Sequence, residues 1–200
     1  MTYRGEFKND QYSGLGRLEL ADGSQYQGQF VHGKPNGEGQ RNDDSGNQFS
    51  GRFVDGQLEG NGTFNSADGD IYVGQFKQNQ LNGKGRYENA DGDVWIGQFK
   101  EGALSGKGEL IGVDGSHYVG QFSEWRFSGE GRLNLTDGSF YVGGFDSDSY
   151  QGKGTLVLTD GTVQAGTWVN GMRVRDADGK LLPDPLEVGI LAQGLSLIHI

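Results

Sequence analysis

The chain has no cysteine, and this excludes a disulfide framework, a thiolate nucleophile and a cysteine-based zinc site. Basic residues are also outnumbered, since 17 Lys and Arg stand against 27 Asp and Glu and leave a formal net charge of −10. Nucleic acid and anionic lipid both favour a basic surface. We therefore expect no nucleic acid partner, and the charge disfavours a membrane lipid.

Long apolar runs and a signal sequence are missing as well. No stretch reaches the run of about 18 apolar residues that a membrane-spanning helix needs. No basic segment followed by an apolar segment opens the chain, as it would in a secretory signal. We expect a cytoplasmic protein, with a membrane-peripheral location as the alternative.

Glycine, in contrast, is abundant and keeps a fixed distance from aromatic residues. An aromatic residue recurs every 23 residues, and a glycine follows it two positions later in every copy. The recurring positions are Tyr3, Tyr26, Phe49, Tyr72, Trp95, Tyr118 and Tyr141, with Gln164 in the eighth copy. A second aromatic residue, a Gly-x-Gly pair and, in most copies, an Asp-Gly pair complete the unit. Four columns hold 29 of the 38 glycines, so the chain is a repeat array and not a low-complexity segment.

Each unit is predicted to form a β-hairpin. In Tyr72–Phe76 the two aromatic residues and the glycine alternate with other residues, which is the period-two pattern of a strand. The segment Gly131–Leu135 alternates in the same way and predicts the second strand. Asp-Gly then supplies the left-handed residue that a tight turn requires.

The strand register depends on the length of the Asp-Gly loop. A three-residue loop with a glycine bulge places Leu133 and Leu135 on the face of Tyr141, whereas a two-residue loop places them on the opposite face. We favour the bulge because it collects the aromatic, glycine and leucine columns on one face. Glycine then leaves space for a neighbouring ring to lie across the strand.

This 23-residue pattern resembles the MORN repeat, which opens with aromatic-x-Gly-x-aromatic and continues through Gly-x-Gly to Asp-Gly. The resemblance covers residues 3 to about 170, with seven full copies and a degenerate eighth. It implies an all-β fold, an elongated, twisted, single antiparallel sheet of stacked β-hairpins. We assign residues 1–180 to this array, with repeats that start at 3, 26, 49, 72, 95, 118, 141 and 164.

The remaining residues form a tail, 181–194, and a terminal hexapeptide. Asp184 as N-cap, Pro185 as first helical residue and Glu187 as capping-box partner predict a short helix over 185–193 that caps the last hairpins. Residues 195–200 are similar to one translated frame of a common sequencing adapter, and we exclude them as an artefact. Whether the chain is a fragment of a longer protein is then an open question.

The second unit departs from the pattern in its closing strand. Arg41 and Asp43 stand where other repeats place Leu, Phe or Tyr. We expect this hairpin to be frayed, with contact to a partner as the alternative.

The sequence predicts no enzyme, no cofactor and no metal site. The three histidines, His32, His117 and His199, are not placed to cooperate with one another in acid–base chemistry. The recurring Asp is explained by the preference of Asp for turns beside Gly. The segment Asp68–Asp70 lacks the further oxygen ligands and the bidentate Glu of a calcium loop.

The aromatic columns have two interpretations. The rings of successive hairpins can pack on one another as the core of the array, or part of the stripe can remain open as a groove for a protein segment. Trp125 is a separate candidate, because other repeats mostly place polar or small residues there and Trp is typical of interface hot spots. Packing against Leu104 or Tyr150 is the alternative for Trp125. The candidate partner-binding residues are Tyr72, Phe76, Trp95, Phe99, Tyr118, Phe122, Tyr141, Phe145 and Trp125.

The opposite face of the predicted sheet changes from polar to apolar along the chain. An exposed apolar patch on a single layer is typical of an interaction surface or of self-association, so a homodimer is possible. The apolar positions are Ile71, Val73, Val94, Ile96, Val119, Phe140 and Val142.

We interpret the whole chain as a non-enzymatic scaffold that presents its aromatic groove and its aliphatic back face to a protein or peptide. The MORN resemblance implies two alternatives. The first is a membrane- or phosphoinositide-binding module, for which Lys84, Lys107 and Lys153 could form a local stripe. The second is the targeting region of a larger enzyme, such as a lipid kinase or a protein methyltransferase. The resemblance by itself transfers no activity.

Overall fold

A computed structural model of the chain describes residues 1–183. Its sixteen strands form one open antiparallel sheet in which strand order follows sequence order, so the all-β sheet of stacked hairpins is confirmed. The helix predicted over 185–193 and the excluded hexapeptide lie outside the described residues. Within residues 1–183, no helix has the length and the apolar character needed to cross a membrane.

The described chain divides into two compact units, Met1–Gly115 and a second unit that begins at Ser116. The first unit contains β1 (Thr2–Lys8), β2 (Gln11–Glu19), β3 (Gln25–Val31), β4 (Lys34–Asn42), β5 (Gln48–Val54), β6 (Gln57–Asn65), β7 (Ile71–Lys77), β8 (Gln80–Glu88), β9 (Val94–Lys100) and β10 (Ala103–Ile111). The second contains β11 (His117–Ser123), β12 (Arg126–Asn134), β13 (Phe140–Asp146), β14 (Ser149–Val157), β15 (Val163–Val169) and β16 (Met172–Arg175).

The Asp-Gly loops contain three residues and a glycine bulge. At the β12–β13 turn the Leu135 amide donates to the Ser139 carbonyl at 2.8 Å, and the Gly138 amide donates to the Leu135 carbonyl at 3.1 Å. Gly138 has a φ of 88°, the left-handed conformation of this loop type. Leu133 therefore lies opposite Tyr141, and the predicted register is confirmed.

A second kind of turn lies at the opposite ends of the strands, and it joins the two strands of each repeat's own hairpin. In the hairpin of β7 and β8, Gln78 and Asn79 have φ of 50° and 67° between the paired residues Lys77 and Gln80. Positive φ at both central residues is the geometry of a two-residue type I′ turn, whose twist matches that of the flanking strands. This turn was not predicted from the sequence.

The Gly-x-Gly pair forms a bulge and a close approach between strands. The register shifts between Gly74 and Phe76, which pair with Gly85 and Leu81. A Cβ atom on Gly74 would lie 2.5 Å from the Cα atom of Gly85, so the first strand cannot carry a side chain at this point. The face that bears the aromatic and glycine columns is called the ring face below, and the other the back face.

The second hairpin is formed in full, so the prediction that it frays is wrong. Strand β4 pairs with both of its neighbours as far as Asn42. The Arg41 guanidinium donates to the carbonyl oxygen of Gly56 at 2.8 Å and to Oδ1 of Asn79 at 3.2 Å. These bonds and the closed turn around Asp43 replace the apolar contacts that a leucine would make at this position.

Candidate binding site

The leading aromatic residue of a repeat takes one of two positions on the ring face. In the first position its ring lies flat over the glycine pair. Tyr118 is fully buried there, and its hydroxyl donates to the carbonyl oxygen of Gln121 at 2.8 Å. A Cβ atom on Gly131 would lie 2.4 Å from that hydroxyl oxygen, so the ring fills the space that glycine leaves. Tyr26 and Tyr141 are buried in the same manner.

In three repeats a leucine from the second strand fills that space instead. Leu58, Leu81 and Leu104 have at most 2% of their surface exposed. The methyl groups of Leu81 lie 3.1 and 3.2 Å from the place of a Cβ atom on Gly85. The leading aromatic residue of these repeats is therefore displaced from the glycines. The other repeats with a leading aromatic residue have Tyr12, Pro35, Phe127 or Tyr150 in this leucine column.

The displaced rings meet aromatic residues of the intervening strands and form a continuous stack, which we call the aromatic ladder. Its members are Phe49, Phe64, Tyr72, Tyr87 and Trp95. Adjacent ring centroids lie 4.6, 5.3, 4.5 and 5.1 Å apart, with 23° to 29° between their planes. Each adjacent pair is directly opposed in the strand register, so the stack runs across five consecutive strands, β5 to β9. All five rings remain partly exposed.

Arg41 closes one end of the aromatic ladder. It lies opposite Phe49 in the register, and its guanidinium carbon is 4.2 Å from the centre of the Phe49 ring. Burial lowers the pKa of Arg41, and the carboxylate of Asp43 opposes that shift. An arginine remains charged under such a shift, so the ladder accepts a cation against its terminal ring.

The middle of the ladder carries two tyrosine hydroxyls near a carboxylate. Burial first, and then the charge of Asp70, raise the pKa of Tyr72. Burial first, and then Tyr72 and Asp70, raise the pKa of Tyr87. Both hydroxyls are therefore neutral at physiological pH and can donate hydrogen bonds.

The ladder lies beside a strongly acidic edge of the first unit. Five turns, at 20–24, 43–47, 66–70, 89–93 and 112–115, contain eight aspartates and neither lysine nor arginine; four of them are Asp-Gly turns, and the second has Ser45-Gly46 instead. We call these turns the acidic edge. The aspartates are Asp22, Asp43, Asp44, Asp68, Asp70, Asp91, Asp93 and Asp114. At the other ends of these strands the charge is mixed, because Lys8, Lys34, Lys77 and Lys100 lie beside the two-residue turns, which contain Asp10, Asp55 and Glu101.

The structure divides the nine candidate partner-binding residues into core and surface. Tyr72 and Trp95 belong to the aromatic ladder, and Trp125 is partly exposed in the second unit. The other six are buried: Phe76, Phe99, Tyr118, Phe122, Tyr141 and Phe145. Partner contact by any of the nine stays a prediction.

Sequence reasoning missed Phe49, Phe64 and Tyr87 as members of one exposed stack. A signal was present, because repeats with Leu58, Leu81 or Leu104 in the leucine column are those whose leading ring joins the ladder. Reading that signal requires knowing that the leucine and the leading ring compete for the same space over the glycines.

Trp125 occupies a strained position in the second unit. It is the second central residue of the β11–β12 turn and has a φ of 72°. At the equivalent position the other hairpins have Gly, Asn or Asp, the residue types that tolerate left-handed backbone. A bulky residue with this φ is a genuine outlier, and such outliers cluster at functional sites.

Metal chemistry has no candidate among residues 1–183, where no group of three or more histidine, aspartate or glutamate side chains is arranged to hold an ion.

The sequence model of one protein family, described as MORN repeat, matches six segments of the chain. They are residues 3–25, 26–48, 49–71, 72–94, 95–117 and 141–163. The intervening segment, 118–140, was also counted as a repeat from its sequence, and it forms the same bulged hairpin with β11 and β12. A comparison with curated proteins found no match.

Among solved structures, the chain is similar to domains of proteins named CPAP or SAS-4. The TCP domain of Drosophila melanogaster SAS-4, in complex with a proline-rich motif of Ana2, has a TM-score of 0.42 and 15% identity over 76% of each chain. The TCP10 domain of Danio rerio CPAP, in complex with a peptide of STIL, has a TM-score of 0.29 and 13% identity over 92% of this chain and 98% of that one.

Proposed function

Because the chain belongs to the MORN repeat family, we propose that it is a non-enzymatic scaffold that binds a segment of another protein on the aromatic ladder. The observation that carries the proposal is the partial exposure of five stacked rings in a sheet that buries the leading tyrosines Tyr26, Tyr118 and Tyr141. Rings held by their neighbours lose little conformational freedom when a partner covers them, so their apolar surface is available for affinity.

The back face is a weaker candidate because charged residues interrupt its apolar positions. Val73 and Ile96 are exposed by 40% and 38%, but Arg86 lies between them in the register. Arg86 forms an ion pair with Glu88 on the same face. In the second unit Arg132 separates Val119 from Val142 in the same way. Among residues 1–183, neither unit offers on this face an apolar run comparable to the ladder.

The proposal is tested by selecting random peptides displayed on phage against the full chain. Selected peptides are expected to lose about tenfold or more in affinity for the double variant Tyr72→Thr/Tyr87→Thr, which removes two rings from the ladder. The matched control is Val73→Thr/Ile96→Thr, on the back face of β7 and β9, which is expected to bind like the parent. Circular dichroism verifies that both variants keep the sheet.

Two results would contradict the proposal. One is that no peptide is enriched, and the other is that the selected peptides bind both double variants equally well. Sedimentation with anionic vesicles is a second test, which separates a protein partner from a lipid. Salt-sensitive vesicle binding that survives loss of the rings would favour the lipid-binding alternative over a protein partner.

A further inference from the structure

Charge on the first unit is arranged so that the strand ends beside the ladder are acidic, whereas the opposite strand ends carry both lysines and acidic residues. Tyr72 follows Asp70 by two residues and Trp95 follows Asp93 by two residues, so both carboxylates belong to the ring face beside the ladder. The effect of Asp70 on the pKa of both ladder tyrosines reflects this proximity.

The carboxylates of Asp70 and Asp93 are held in place by hydrogen bonds from the next acidic turn along the chain. Oδ1 of Asp70 accepts the Ala90 amide at 3.0 Å, and Oδ1 of Asp93 accepts the Val113 amide at 2.9 Å. Successive carboxylates therefore keep the spacing of alternate strands, roughly 10 Å. Asp68 and Asp91 are exposed at the tips of the same turns.

The chain itself supplies an example of the chemistry that this face accepts. Arg41 lies flat on Phe49 at the end of the ladder and donates to the Gly56 carbonyl and to Asn79. Its neighbour on the ring face is Asp43, whose carboxylate favours the charged guanidinium. A guanidinium, an aromatic ring and a carboxylate thus already lie together at one end of the ladder.

We propose that the aromatic ladder and the acidic edge together bind a basic amphipathic segment of a partner protein. Its apolar side chains lie on the rings, and its lysine or arginine side chains lie along the aspartates. The basic residues lie on one side of the segment, because the eight aspartates line only the acidic edge, whereas lysines and acidic residues nearly balance at the opposite strand ends. This inference rests on the proposed function and adds the charge and the orientation of the ligand.

Three synthetic peptides of equal length and pattern test the proposal by fluorescence anisotropy on the full chain. The first peptide has leucine on one side and arginine on the other. The second has glutamate in place of arginine, and the third has serine in place of leucine. We expect the leucine–arginine peptide to bind at least about tenfold more tightly than either of the others, since it alone satisfies both the rings and the carboxylates. Its affinity is expected to fall as sodium chloride is raised from 0.05 to 0.5 M, because exposed charges are screened.

The double variant Asp68→Asn/Asp91→Asn isolates the acidic edge. Asn is tolerated in these turns. The two substituted positions are exposed, so the hydrogen bonds that Asp70 and Asp93 accept from the following turns stay intact. We expect about threefold to tenfold weaker binding of the leucine–arginine peptide and a reduced salt dependence. The matched control is Asp137→Asn/Asp160→Asn, which changes the net charge equally at Asp-Gly turns of the second unit and is expected to leave affinity unchanged.

Failure of this inference is distinguishable from failure of the proposed function. Equal binding of the leucine–arginine and leucine–glutamate peptides would overturn the proposal that the ligand is a basic segment. Equal losses of affinity in the two aspartate double variants would also overturn it. In that case peptides selected on phage that still depend on Tyr72 and Tyr87 leave the proposed function standing.

Discussion

At the scale of single residues, the leucine column decides where the leading ring lies. Leu81 and Tyr118 occupy equivalent spaces over paired glycines, although they come from different strands of the hairpin. Whichever side chain fills that space is buried and contributes to the core. The one that is excluded remains near the surface, and three such exclusions in succession produce the ladder.

The two arrangements differ in how much room a methyl group on the second glycine would find. On Gly131 a Cβ atom would lie 2.4 to 2.6 Å from three atoms of the Tyr118 side chain. On Gly85 its nearest neighbours are two Leu81 methyl carbons and the Cδ2 atom of Phe99, at 3.1 to 3.2 Å. We expect Gly131→Ala to destabilise the second unit by about 2 kcal/mol or more, and Gly85→Ala to cost clearly less. Urea midpoints of the two variants measure the difference. Equal shifts would contradict this account of the glycine column.

At the scale of the hairpin, the type I′ turn is the element that distinguishes Trp125. Both central residues must adopt positive φ, and Gly, Asn or Asp meets that requirement at the second position of the other turns. A tryptophan there carries backbone strain of about 1 to 2 kcal/mol. The chain retains this strain in a partly exposed residue, and partner contact by Trp125 stays a prediction.

Exchanging residues between two equivalent turns separates strain from packing. We expect Trp125→Asn to be as stable as the parent or up to about 1 kcal/mol more stable, and Gly102→Trp to be destabilised by about 1 to 2 kcal/mol. Gly102 has a φ of 84° and no contact closer than 3.8 Å at its Cβ position, so it reports the strain with little interference. Thermal melts give both values. A marked loss of stability in Trp125→Asn would assign the side chain to packing.

At the scale of the whole molecule, the hairpins repeat locally but the charge does not average out. Each repeat is stabilised mainly by its immediate neighbours, as in other repeat arrays. The chain nevertheless carries a net charge of −10, and eight of its aspartates lie along one edge of the first unit. Such crowding of like charges opposes folding at low ionic strength.

Salt is therefore expected to stabilise the protein. Raising sodium chloride from 0.02 to 0.3 M shortens the screening length to several ångströms, about the distance between neighbouring strands, and weakens the repulsion along the acidic edge. We expect the melting temperature to rise by a few degrees, and to rise less in Asp68→Asn/Asp91→Asn. A fall in melting temperature with salt, or the same rise in the double variant, would contradict repulsion at this edge.

Much of the fold was predictable from the sequence because its determinants are local. The 23-residue spacing, the period-two alternation and the Asp-Gly loops predicted the hairpins and their register. The two-residue turns were not predicted, because residues as different as His32-Gly33 and Glu124-Trp125 adopt one backbone geometry there. Of the aromatic ladder, only Tyr72 and Trp95 were among the predicted partner-binding residues.

The sequence by itself determined the repeat, the strand order and the face that collects the rings, since each depends on contacts within a hairpin or between successive ones. The tertiary structure decided which rings are core and which are surface. That outcome depends on side chains from different strands competing for one space over the glycines, and no single column of the sequence records it. The structure likewise decided that Arg41, an apparent defect of the second repeat, closes the aromatic ladder by lying on Phe49.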